Sequence, residues 1–197
     1  MADEARLAPS YPVLTPRLRL QPLTEADIDE MLVYRGREDV CRYLPFAPMT
    51  RKVLRARFAA GLGRSEITAA GQALTLGVRL QATGALLGDV VLFFHSATHA
   101  SGELGYVFAP EAAGYGYATE ACRAVLDFAF AGLALHRVSA RLDARNTSSA
   151  RLAHRLGMRQ EAHLIEDEMF KGEWSDTVIF GMLDREWSAA AAGQARP

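Results

Sequence analysis

Hydrophobic positions recur along this chain with two periods, and the switches between them lay out its elements. Arg17-Leu-Arg-Leu-Gln-Pro-Leu23 alternates as a strand does, and Thr24-Glu-Ala-Asp27 then supplies an N-cap and an acidic first turn for a helix to about Tyr34. A short helix is expected over about 37–43. Pro45 and Pro48 interrupt the chain, Thr50 caps a helix to about Leu62, and Gly61 with Gly63 ends it. Ala73–Leu80 and Leu86–Phe94 read as strands joined at Thr83-Gly84; Val90–Phe94 is apolar at every position, as a strand covered on both faces would be. Leu104, Tyr106 and Phe108 alternate with Glu103, Gly105 and Val107 in the next strand. Ala118, Ala121, Cys122, Val125 and Ala129 then recur at helical spacing opposite Glu120, Arg123 and Asp127, and Arg137–Leu142 alternates again. A strand–helix–strand unit of this kind implies parallel neighbours and a right-handed crossover. Asn146 or Thr147 caps a last helix that Gly157 stops, and strands at about 159–170 and 176–183 close as a hairpin. The expected class is α/β (α+β): a mixed, mostly antiparallel six- to seven-stranded sheet flanked by helices on both faces.

At 197 residues the chain fits one domain, expected over 11–187 between a disordered lead-in (1–10) and a disordered alanine-rich tail (188–197). The formal net charge of −1 gives no electrostatic case for sequence-independent nucleic-acid binding. The N-terminus is polar, and no stretch of about 18 apolar residues occurs, so no membrane partner is expected and the location is expected to be cytoplasmic. Cys41 and Cys122 have no metal spacing, and Cys122 falls on the apolar face of its helix as a buried thiol. The histidines His95, His99, His136, His154 and His163 show no ligand spacing, and no metal is expected.

The segment Ala109-Pro-Glu-Ala-Ala-Gly-Tyr-Gly-Tyr-Ala-Thr-Glu-Ala-Cys-Arg123 changes the picture from fold to chemistry, because it joins a strand to an amphipathic helix through glycines. Gly114 and Gly116 permit a backbone that residues with a Cβ avoid, so successive N–H groups can face a phosphate where the helix starts. A Walker loop would need a lysine entering the helix, and 109–123 has none. A dinucleotide fingerprint would need a third glycine, and Gly114-Tyr-Gly116-Tyr-Ala-Thr119 ends in threonine.

The loop, reading Ala113-Gly-Tyr-Gly116-Tyr-Ala118, resembles the pyrophosphate-binding motif of the GNAT N-acetyltransferase superfamily, with alanine at Ala113 where that motif has Gln or Arg. Within the superfamily the chain is most similar to the ribosomal-protein-alanine N-acetyltransferase (RimJ/RimL-like) branch. The blocks that carry this are Thr15-Pro-Arg-Leu-Arg-Leu20, Gly102-Glu-Leu-Gly-Tyr106, Asn146-Thr-Ser-Ser149 with Leu156-Gly-Met158, and Lys171-Gly-Glu-Trp-Ser-Asp176. The resemblance implies a sheet splayed between strands four and five, acetyl-CoA as cosubstrate, and direct transfer of acetyl to a primary amine. The leading acceptor is a protein N-terminal α-amine, with a polyamine or aminoglycoside as alternative and a non-catalytic acyl-CoA-binding module as the other class; a homodimer is left open.

The resemblance also distributes roles. The cofactor would be held by Tyr106, Val107 and Phe108, whose stretch to Ala109 carries a backbone N–H for the thioester carbonyl, and by Ala113, Gly114, Tyr115, Gly116, Tyr117, Ala118 and Thr119. Asn146, Ser149 and Arg155 complete that set, with Arg151 beside Arg155 on the same helix face. Glu103 is the leading base, with Glu166, Asp167, Glu168 and Asp176 as rivals. Related enzymes place a tyrosine acid seven residues after the asparagine, and here Ala153 stands there. Ser149, one turn earlier on that stripe, is therefore the candidate partner for the leaving thiolate. Phe46, Trp174 and Asp176, near Tyr43 and Pro45, are expected to form the acceptor site.

Overall fold

The computed structural model describes residues 6–194. In chain order the elements are β1 (Val13–Leu14), β2 (Leu18–Pro22), α1 (Ile28–Arg35), α2 (Glu38–Cys41), α3 (Arg51–Ala59), β3 (Ala73–Leu80), β4 (Leu86–Ser96), β5 (Ser101–Phe108), α4 (Tyr117–Asp127), β6 (Arg137–Asp143), α5 (Thr147–Leu156), β7 (Arg159–Phe170), β8 (Glu173–Leu183) and α6 (Asp184–Gln194). The sheet has eight strands in the order β1-β2-β3-β4-β5-β6-β8-β7, one more than expected because Val13–Leu14 pairs with Arg19–Leu20. Neighbours are antiparallel except β5 and β6, which run parallel across the α4 crossover.

That parallel pairing is short. Ser101, Gly102 and Glu103 face Arg137, Val138 and Ser139, and beyond Glu103 the strands part while β5 stays paired to β4 and β6 to β8. The expected splay between the fourth and fifth long strands is thus present, and it starts at Glu103.

Each sheet face has its own core. On one, Ala121, Cys122 and Val125 of α4 and Leu152, Ala153 and Leu156 of α5 pack with Leu92, Leu104 and Val138. On the other, Ile28, Met31, Tyr34 and Leu54 of α1 and α3 pack with Leu23, Met49 and Val107. Thr50 caps α3 by accepting from the Val53 N–H at 3.3 Å, and Gly157 ends α5 in the left-handed region at φ 89°.

Three expectations are corrected. Residues 6–10 are not a loose lead-in, since Leu7 is buried and bridges Ile67; residues 1–5 of that segment lie outside the described residues. The tail expected from 188 is instead the end of α6, with 195–197 outside the described residues, and Trp187 stacks on Phe130 and donates to Asp127. The closing hairpin turns on Lys171 and Gly172 alone, both left-handed at φ 51° and 92°, so β8 begins at Glu173 and not at about 176.

Candidate active site

Where β5 runs out, Pro110–Ala112 makes one tight turn, and Gly114 and Gly116 adopt φ 85° and 79°, the left-handed geometry their sequence called for. Gly116 is the N-cap residue of α4 and no side chain caps that helix, so its first-turn N–H groups face outward as a ready anion site. The block Thr15–Leu20 pins this end: Glu120 accepts from the Thr15 hydroxyl (2.6 Å), the Arg17 N–H (2.9 Å) and the Arg17 guanidinium (2.7 Å), while Arg17 also donates to the Tyr115 carbonyl.

The loop borders a groove of about 1090 Å³ that runs over Gly114, Gly116, Ala118 and Thr119 to α5. Arg123, Arg151 and Arg155 line it, and Arg155 reaches the Thr119 hydroxyl at 3.4 Å. The side chains of Tyr115 and Tyr117 take no part in this lining. Their rings stack on each other 5.5 Å apart and Arg17 lies 4.7 Å from the Tyr117 ring centre, outside the groove.

A second cavity, of about 500 Å³, opens on the other side of the splay, and the two share Leu44, Tyr106, Val107, Asn146 and Ser149. Asn146 caps α5 by accepting from the Ser149 N–H at 3.1 Å, and the Tyr106 hydroxyl donates to the Ser149 carbonyl at 3.0 Å, tying β5 to α5 across the gap. Burial pushes the Tyr106 phenol well above its ordinary range. The Ser149 hydroxyl makes no protein hydrogen bond among the described residues. The Ala109 N–H bonds to Leu87 on β4, so strand alternation turns the Val107 N–H the same way and those of Tyr106 and Phe108 into the gap. Of the stretch Tyr106–Ala109, the donors available to a ligand are therefore at Tyr106 and Phe108.

Glu103 lines the second cavity at the start of the splay, with His95 3.4 Å away. Three of the four rival carboxylates are engaged elsewhere. Asp167 and Glu168 pair with Arg141, and Asp176 accepts from the Glu166 N–H (3.0 Å) and His163 (2.9 Å), which hold its carboxyl below the usual range. Phe46 lines the cavity. Trp174 and Asp176 do not, because the tight Lys171-Gly172 turn puts both in strand β8, where Trp174 pairs with Met169 and is 58 % exposed.

Residues 17–159 match the acetyltransferase (GNAT) domain family. The chain belongs to the GNAT acetyltransferases. It is 27% identical over 176 residues to the uncharacterized N-acetyltransferase YnaD of Bacillus subtilis, covering 89% of this chain and 99% of that one. A 102-residue stretch, 52% of this chain and 59% of the relative, is 31% identical to the spermidine N(1)-acetyltransferase of Vibrio cholerae. Among solved structures, the GNAT-family acetyltransferase from Bacillus anthracis superposes with a TM-score of 0.77 at 27% identity, over 88% of this chain and 98% of that one.

Sequence reasoning missed the polar centre of this GNAT domain's second cavity. Asp89, fully buried on β4, accepts two hydrogen bonds from Arg35 (2.9 and 2.5 Å) and one from the Tyr34 hydroxyl (2.6 Å), and both Asp89 and Arg35 line the cavity. Val91 and Phe93 line it too, so the uniformly apolar run of β4 is a cavity wall on one face and core on the other.

Proposed function

We propose that this enzyme is an acetyl-CoA-dependent N-acetyltransferase of the RimJ/RimL-like branch that acetylates a primary amine, with the cofactor in the groove and the amine in the second cavity. The observation that carries the reading is the meeting of these two spaces at Tyr106, Val107, Asn146 and Ser149, just past the point where β5 and β6 part. The groove suits the cofactor by its chemistry: glycines in left-handed geometry, uncapped helix amides, and arginines toward α5. Bound acetyl-CoA supplies an acetyl thioester.

The chain's own groups do the rest. Amides of 114–119 hold the anionic end, and the Tyr106 and Phe108 N–H groups donate to a carbonyl placed in the gap, a kind of contact worth roughly 3 kcal/mol in a transition state. Glu103 takes the proton of the ammonium, directly or through water. A thiol of ordinary acidity, pKa about 8.5, ionises more readily than the hydroxyl of Ser149 or Tyr106. The Ser149 hydroxyl therefore stabilises the departing sulfur by donating a hydrogen bond, while the single Tyr106 proton stays on the Ser149 carbonyl. Ser149→Ala is expected to lower kcat by about 10- to 100-fold, the worth of one charge-assisted hydrogen bond, with CoA affinity nearly unchanged by calorimetry.

Of the acceptors left open by sequence, a protein N-terminal α-amine is favoured over a polyamine, because Asp167 and Glu168 of the acidic run that would attract a polycation are paired with Arg141. The functional test is thiol release from acetyl-CoA across a panel of primary amines. Amine-dependent release is the expected result, and CoA binding without release by any amine would support the non-catalytic alternative.

A further inference from the structure

The charges of the acceptor cavity do not cancel. Four arginines line it, Arg35, Arg57, Arg64 and Arg141, against the two carboxylates Asp89 and Glu103. Arg35 is paired with Asp89, and Arg141 with Asp167 and Glu168, two carboxylates on one guanidinium. Among the described residues Arg57 and Arg64 form no ion pair and no side-chain hydrogen bond. Arg57, on α3, lies 5.1 Å from the centre of the Phe46 ring, which Arg35 also approaches at 5.5 Å. Phe46 is thus a platform for guanidinium groups, not a wall for an ammonium. Partial burial and then the neighbouring Arg35 charge pull the Arg57 pKa down, with the Asp89 carboxylate opposing them.

Resting on the assignment of this cavity to the amine, we propose that the acceptor carries an anionic group, a carboxylate or phosphate-like oxyanion, a few bonds from its amine, and that Arg57 and Arg64 bind it. The guanidinium fork matches such oxyanions in charge and shape. With the anion held at that end, the amine is left for Glu103. A polycation instead meets two uncompensated cations, which selects against it. The cavity volume, about 500 Å³, suits an amino-acid-sized group. That chemistry has two sources, a free acidic or neutral amino acid and a peptide whose first residues carry an acidic side chain.

The test compares kcat/KM at saturating acetyl-CoA for matched amines: free amino acids against their carboxamides, peptides beginning with an acidic against an uncharged pair of residues, and spermidine. The expected result is a preference of about tenfold or more for the anionic member, expressed in KM. The double variant Arg57→Gln, Arg64→Gln should lose that preference and keep the KM for acetyl-CoA, while Arg57→Lys with Arg64→Lys retains most of it. Preference for free amino acids over their amides identifies a small-molecule acceptor; preference confined to acidic peptides identifies a protein end. Equal or better use of carboxamides, uncharged peptides or spermidine overturns the proposal while leaving the transferase reading intact, as does an anionic preference that survives the glutamine variants. No turnover of any amine by protein that binds CoA overturns both.

Discussion

Asp89→Ala is expected to destabilise the protein by about 3–5 kcal/mol, the cost of stranding a buried charge by removing its partner. Asp89 is fully buried and accepts from Arg35 at two atoms and from Tyr34 at a third, so the substitution leaves a guanidinium that is 6% exposed and a fully buried phenol without their acceptor. Urea unfolding reads this as a lower midpoint at unchanged slope. The double substitution Asp89→Leu, Arg35→Met should recover much of the loss, since an apolar pair of similar volume often matches a buried ion pair. A midpoint for Asp89→Ala within experimental error of wild type would show that the triad does not hold α1 to β4.

Glu103→Gln is expected to reduce the amine-dependent rate by about 10²–10⁴-fold near neutral pH, the range for loss of a positioned general base. The loss should shrink as pH rises and the free amine fraction grows, with CoA binding intact. Asp89, Asp167 and Glu168 each face an arginine and Asp176 faces His163, which leaves Glu103, beside His95, as the carboxylate of this cavity with no arginine partner among the described residues. A pH–rate profile unchanged by the substitution would remove Glu103 as the base.

What was legible in the sequence depended on whether the cause was local. Gly114, Gly116 and Gly157 announce left-handed backbone by residue type alone, and all three adopt it. The splay followed from the resemblance, and the β5–β6 register stops at Glu103 accordingly. The apolar run Val90–Phe94 was read as central strand, and it is one, but hydrophobicity does not distinguish a core face from the wall of a cavity. Trp174 and Asp176 were misplaced because the acceptor-site reading took 171–176 for a turn, whereas Lys171-Gly172 closes the hairpin in two residues. Asp89 with Arg35, and Arg57 with Arg64, had no signal in spacing. The first pair is 54 residues apart in sequence, and only the packing of α1–α3 over the sheet brings these groups to one cavity.

The account rests on the cofactor lying against the amides of 114–119, and calorimetric titration of CoA into wild type and Gly116→Val tests that most directly. Gly116 holds φ 79° at the start of α4, so a valine there would strain the turn that presents the amides, with its Cβ 3.6 Å from the Arg17 guanidinium. The account expects wild-type binding and at least a tenfold loss in a Gly116→Val protein whose circular dichroism and melting curve show it folded. Wild-type affinity in that folded variant, or no CoA binding by the wild type, would contradict it.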